Sequence, residues 1–228
     1  MTDVAANLDA ARARIDAACA RAGRDPGSVE LLPVSKTHPI ELIRVAHAAG
    51  YARFGESRPQ ELEAKAAAEP DLGWVFIGHL QTNKAKVVAE LAAEFQALDS
   101  LRLAEALDRR VQSLDRRLPV LVQVNSSGED TKGGFTPEEL PDAVRALLTL
   151  DGLDVRGLMT LAANSPEESV VRACFTTMTD LQERLRDEHG GGFDVLSMGM
   201  SNDFELAVEC GSTCVRLGTS IFGARTQP

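Results

Sequence analysis

One rhythm governs this chain. A short apolar run is followed by a loop and then by an amphipathic stretch long enough for a helix, and the pattern recurs eight times. The predicted strands are 30–35, 52–55, 74–77, 95–98, 119–124, 155–159, 193–197 and 213–217. Between them the periodicity predicts helices at about 39–49, 58–68, 83–93, 101–114, 136–150, 167–188 and 203–210. Pro39 suits the first position of its helix, and Thr136-Pro137-Glu138-Glu139 reads as a capping box. An Ala-rich helix from Thr2-Asp3 to about Ala22 precedes the repeats. Gly23 is its stop signal and Asp25-Pro26-Gly27 a turn. A short helical turn is expected after Thr219.

Strands that read apolar throughout, alternating with amphipathic helices, predict a parallel sheet covered by helices. Eight such units predict closure into a barrel with right-handed crossovers. The 228 residues suit one barrel of this kind, which typically takes about 200–250 residues. The expected fold is therefore α/β: a single (β/α)8 TIM barrel with an extra N-terminal helix, one domain over residues 1–228. The alternative, an open doubly wound sheet, calls for G-x-G-x-x-G after the first strand. Val34-Ser35-Lys36-Thr37-His38-Pro39 does not supply it.

A net charge of −10 argues against nucleic acid as a partner. A small phosphorylated ligand needs only local N–H groups and hydroxyls. Residues 1–23 interleave apolar and charged side chains without the apolar core of a signal peptide, and no run is long enough to span a membrane. The expectation is a cytoplasmic protein. Cys19, Cys174, Cys210 and Cys214 have no C-x-x-C spacing and read as buried free thiols. His38, His47, His79 and His189 form no ligand pattern, so no metal site is expected.

In such a barrel the C-terminal ends of the strands form the working face. Lys36 ends the first strand there, on the parity of Leu32 and Val34. If that parity lines the lumen, its amine points into the mouth, where partial burial favours the neutral form that Schiff-base chemistry needs. A solvated lysine at a strand end is the plain alternative. The loops after strands seven and eight are the usual phosphate site of this fold. They carry Gly199, Ser201, Gly218, Thr219 and Ser220. Ordinary turn and helix-capping chemistry is the alternative. Arg216 lies within the last strand and needs a partner, either a ligand's pyridine nitrogen or an interior carboxylate such as Glu56. Ser57, Asn125 and Met200 stand at the same end and join the candidate binding set. Glu56, Lys84 and Lys132 are expected to face the mouth.

Several motifs then align with one family. They are Val34-Ser35-Lys36-Thr37, Phe54-Gly55-Glu56, Phe76-Ile77-Gly78 with Leu80-Gln81 and Asn83-Lys84, and Gly157-Leu158-Met159. Leu196-Ser197-Met198-Gly199-Met200-Ser201 with Asp203 follows, and Val215-Arg216-Leu217-Gly218-Thr219 runs on to Ile221-Phe222-Gly223-Ala224-Arg225. In order and spacing the chain resembles the pyridoxal phosphate homeostasis proteins over nearly its whole length. The resemblance implies a fold similar to the barrel domain of alanine racemase, with pyridoxal 5′-phosphate (PLP) as cofactor and Lys36 as its Schiff-base lysine. It places the phosphate near Ser201, Gly218 and Thr219, and Arg216 near the pyridine nitrogen. Ser57 stands where many members have Asn, and His79 where many have Pro.

The resemblance further implies a PLP carrier in vitamin B6 homeostasis without established turnover, with apo PLP enzymes as candidate recipients. The competing expectation is a racemase-like PLP enzyme. Racemisation needs a base on each face of the α-carbon. Lys36 offers one. The only tyrosine, Tyr51, precedes strand two and belongs at the opposite end. The chain stops at Pro228, so no added domain carrying a second base is expected, and the reading leans to a monomer and away from an enzyme. An arginine at the ring nitrogen also weakens the cofactor as an electron sink. A third expectation is a PLP-free Schiff-base aldolase on the same barrel.

Overall fold

The computed structural model describes residues 2–129 and 131–224. Arg225 of the last motif lies outside them. Eight strands run parallel in the order β1-β8-β7-β6-β5-β4-β3-β2. They are β1 Glu30–Pro33, β2 Arg53–Glu56, β3 Gly73–Phe76, β4 Glu94–Leu98, β5 Leu118–Gln123, β6 Leu153–Met159, β7 Val195–Ser197 and β8 Cys214–Leu217. The expected strands recur with ends moved by one or two residues. The fold is the expected (β/α)8 barrel. Seven neighbouring pairs share a registered ladder. The eighth joint, β1 to β2, is a bridge between Val34 and Gly55, with Ser35 N donating to Gly55 O at 3.0 Å.

The helices are α1 Val4–Arg21, α2 Ile40–Ala48, α3 Pro59–Ala68, α4 Ala85–Leu91, α5 Leu101–Gln112, α6 Leu140–Leu147, α7 Glu168–His189, α8 Phe204–Glu209 and α9 Thr219–Phe222. Asp3 caps α1 by accepting from Ala6 N at 3.1 Å. That helix buries Val4, Leu8, Ala11, Ile15, Ala18 and Cys19 on one stripe, the spacing an amphipathic helix requires. It packs on α2, α8 and α9. The helix after β8 has only four residues, so the N-terminal helix does the covering work of an eighth barrel helix. Asn7 Nδ2 ties the two together by donating to Ile221 O at 2.8 Å. The capping box forms with both arms, Glu139 N to Thr136 Oγ1 at 3.2 Å and Thr136 N to Glu139 Oε2 at 3.0 Å. The α-helix begins one turn later than the box, at Leu140. Pro39 precedes its helix as the cap, not as its first residue.

Between β5 and β6 the register steps from Val120–Val155 to Leu121–Gly157. The step leaves Arg156 outside the ladder as a bulge. Gly157 is required there: a β-carbon would fall 1.8 Å from Val195 O on the next strand.

The expectation of apolar strands needs one correction. Outward faces are apolar and pack beneath the helices, with Phe54, Trp74, Phe76 and Phe95 fully buried. The lumen holds a small apolar cluster, Leu32, Val75 and Cys214 with Ile77 and Val195, and Val34 above it. It also holds a polar network of Glu30, Arg53, Glu94, Gln96, Ser197 and Arg216 joined by hydrogen bonds and ion pairs. Buried polar groups are tolerated when paired. Among the described residues no helix is long and apolar enough to cross a membrane.

Candidate functional site

The C-terminal mouth opens into a cavity of about 1050 Å³ whose wall includes Lys36, Ser57, Met200, Ser201, Arg216, Gly218 and Thr219. Seven of the eight residues expected from sequence therefore meet at one place. Asn125 is off that wall. Its amide donates to Glu129 O at 3.0 Å and Lys132 O at 3.1 Å, folding the β5–α6 loop so that Lys132 reaches the cavity. Lys132 Nζ donates to Ala162 O and pairs with Glu129. Lys84 is not among the cavity-lining residues.

Leu32 and Val34 line the lumen, because a β-carbon on Gly55 would touch both. Lys36 follows on the same parity, half-buried. The peptides on either side of it are held from behind. Lys65 Nζ, on α3, donates to Ser35 O at 2.8 Å and to Glu56 Oε1 at 2.6 Å. Ser35 Oγ donates to the same Glu56 oxygen at 2.6 Å. Thr37 N donates to Glu61 Oε2 at 2.6 Å while Thr37 sits at φ +67°. That left-handed conformation costs a β-branched residue roughly 1–2 kcal/mol, which the anchored N–H helps to offset.

The expectation that Glu56 faces the mouth is overturned. Gly55 takes the lumen position of β2, so Glu56 points outward beneath α3, fully buried. Burial pushes its carboxyl above the ordinary range, and Lys65 pulls it partly back. Arg216 consequently has no bond to Glu56. Its NH1 donates to Ser197 Oγ at 2.6 Å and its NH2 to Thr160 O at 2.7 Å. It is 4% exposed, and burial lowers its pKa.

After β7 and β8 three hydroxyls converge. Ser201 Oγ lies 3.1 Å from Ser220 Oγ and 3.4 Å from Thr219 Oγ1, and it accepts from Ser220 N at 3.3 Å. Gly218 backs them, with room for a β-carbon only 3.3 Å from Val34 O. The β7 loop is pinned by Asp203, whose Oδ1 accepts from Met200 N at 2.6 Å. Burial raises the Asp203 carboxyl.

Sequence reasoning missed Lys65 and Glu61, the clamp behind Lys36. A signal was present: Leu62, Lys65 and Ala66 share the buried stripe of α3, and a lysine on such a stripe asks for a buried carboxylate. It also missed the contact of His79 Nδ1 with Asp99 Oδ2 at 2.8 Å on the rim. Tyr51 lies before β2, beside α1, as expected.

The site is thus an eight-stranded barrel with an amine after its first strand and hydroxyls after its last two. The sequence model of the alanine racemase N-terminal domain matches residues 6–226. A pyridoxal phosphate homeostasis protein of Pseudomonas aeruginosa is 42% identical over 227 residues, covering 99% of this chain and 97% of that one. The chain belongs to the pyridoxal phosphate homeostasis protein family. PipY of Synechococcus elongatus PCC7942, solved with PLP bound, superposes with a TM-score of 0.83 at 34% identity, over 97% of this chain and 100% of that one. Alanine racemase of Clostridium difficile 630 shares the fold, with a TM-score of 0.77 at 17% identity, over 99% of this chain and 56% of the racemase.

Proposed function

We propose that the whole chain acts as one cytoplasmic, monomeric PLP-binding domain that stores the cofactor and releases it to apo PLP enzymes, without catalytic turnover of its own. The observation that carries this reading is the meeting of Lys36, Arg216, Ser201 and Thr219 on one cavity wall, with the Ser220 hydroxyl bonded to Ser201 Oγ at 3.1 Å. These groups fit PLP. Lys36 Nζ is the amine for a Schiff base with the cofactor's aldehyde. The three hydroxyls and the Ser220 N–H suit a phosphate, whose charged hydrogen bonds contribute roughly 1.5–3 kcal/mol each. Arg216 is the group for the pyridine nitrogen, a role that Asp or Arg fills in PLP sites. Ser57 and Met200, on the same wall, would flank the ring, and Asn125 acts at one remove by shaping the loop that carries Lys132. When bound, PLP supplies an electrophilic carbon and an electron-poor ring. The chain supplies orientation: the Lys65–Glu56–Ser35 cluster and Glu61 fix the backbone from which Lys36 reaches that carbon.

The test is a spectrum. Protein loaded with PLP should be yellow, and borohydride should fix the cofactor on the peptide containing Lys36. Lys36→Ala should lose the visible band while keeping its melting temperature. A colourless protein points to the aldolase reading, and a label on another lysine sinks the assignment.

A catalytic reading has one observation in its favour: His79, held by Asp99, stands on the cavity wall as a second base. Solvent deuterium exchange at the α-carbon of free amino acids, abolished by His79→Ala, would establish it. Its absence supports the carrier.

A further inference from the structure

Arg216 is buried, and its guanidinium is bonded to neutral atoms. A run of hydrogen bonds connects it to carboxylates toward the other end of the barrel. Arg216 NH1 donates to Ser197 Oγ at 2.6 Å. Ser197 Oγ donates to Gln96 Oε1 at 2.7 Å, crossing the lumen from β7 to β4. Gln96 Nε2 donates to Glu94 Oε1 at 2.6 Å. Arg53 NH2 donates to the other Glu94 oxygen at 2.7 Å, and its NH1 donates to both oxygens of Glu30 at 3.0 Å. Arg53 and Glu30 are partly exposed. Gln96 is 1% exposed and Ser197 0%.

The direction of this chain follows from chemistry. An ionised carboxylate only accepts, so the Gln96 amide must turn its NH2 to Glu94 and its oxygen to Ser197. Ser197 must then give its proton to Gln96 and accept from Arg216. From the mouth to Glu94 every donor points the same way, an arrangement in which successive bonds polarise one another. Arg53 thus pairs with both Glu30 and Glu94, and two neutral side chains connect this cluster to Arg216. Asp203 and the Cys214 thiol also lie near enough to act on Arg216, but neither has a hydrogen bond to it among those formed by the guanidinium.

We infer that Gln96 and Ser197 are positioning residues that let Glu94, remote from the mouth, set the orientation and donor strength of Arg216 and so tune the ring nitrogen of bound PLP. The inference rests on the placement of Arg216 against that nitrogen proposed above.

The test compares Ser197→Ala, Glu94→Gln and Arg216→Gln in the full chain, each reconstituted with PLP. Ser197→Ala removes one oxygen, and Glu94→Gln keeps shape while removing charge. Both should bind PLP one to one, with affinity falling no more than about tenfold, the scale of one neutral hydrogen bond. Both should move the visible absorption maximum in the same direction as Arg216→Gln. If Arg216→Gln moves the maximum and the other two leave it in place, the relay is overturned while the ring-nitrogen contact stands. If Ser197→Ala moves it and Glu94→Gln does not, the remote role of Glu94 is overturned. If Arg216→Gln itself leaves the maximum unmoved, the ring-nitrogen contact falls and the relay with it. Ser197→Ala carries the test alone should Glu94→Gln melt before it can be loaded.

Discussion

Lys65 Nζ lies 2.8 Å from the carbonyl oxygen of Ser35, the residue immediately before Lys36. One buried lysine thus holds the backbone of another that works in the open cavity. Lys65→Met removes that donor and strips the buried Glu56 of its cation, leaving it only the Ser35 hydroxyl. Breaking a buried pair in this way costs roughly 3–5 kcal/mol. The melting temperature should fall by roughly 6–20 °C, at 2–4 °C per kcal/mol for a domain of this size. Lys65→Met with Glu56→Leu should recover most of that loss, since no charge is left stranded, but should still load PLP more slowly than the parent. A double variant that loads at the parent's rate would show that the clamp only stabilises the fold.

Glu56 also predicts a pH dependence of a definite sign. Burial raises its carboxyl above its ordinary value of 4.5. The folded chain then holds this proton more tightly than the unfolded chain does. Its contribution to stability is fully present below about pH 4.5 and is lost as pH rises through the folded value. Urea unfolding of the parent and of Glu56→Gln across this range should show the parent's relative stability declining with pH. A rising difference would mean that Lys65 outweighs burial at this site.

At the hydroxyl cluster, Gly218→Val should push side-chain atoms toward Val34 O, which a β-carbon already approaches to 3.3 Å. Displacing even one charged hydrogen bond lowers affinity about 10- to 150-fold. PLP retention should drop by at least that factor, while affinity for unphosphorylated pyridoxal changes little. Equal affinity of the parent for pyridoxal and PLP would place the phosphate elsewhere.

Cys214 lies within the lumen on the parity of Arg216, 1% exposed, and burial pushes its thiol up to about 12. Only the thiolate reacts with alkylating agents at a useful rate. Alkylation at pH 8 followed by mass spectrometry should leave Cys214 unmodified until the chain unfolds. Labelling of the native protein would reveal an opening of the barrel.

Much of this was legible in the sequence. The eightfold alternation carries the barrel because strand and helix periods differ, and Lys36 is conspicuous as a cation closing an apolar strand. The orientation of Glu56 was misread at Gly55. A glycine gives no sign of which face it takes, whereas Phe54, packed outward, shares parity with Glu56 and would have given the answer. The partners of Arg216 were beyond reach for another reason. Gln96 and Ser197 are 101 residues apart, and only closure of the ring brings β4 opposite β7. Lys65 was passed over although it falls on the stripe of Leu62 and Ala66, because one lysine in an Ala-rich helix reads first as a solvated charge.

The joint between β1 and β2 has a different character from its seven counterparts. Where those are sewn by backbone ladders, this one relies on the Val34–Gly55 bridge and on side chains at either end, Arg53 with Glu30 below and Ser35 with Glu56 above. Backbone amides are indifferent to acidity and salt; carboxylates are not. The barrel therefore carries a chemically addressable hem, and it runs directly beneath Lys36. Acidity and salt bear on this joint through its carboxylates more than on the ladders, at the strand end that carries Lys36.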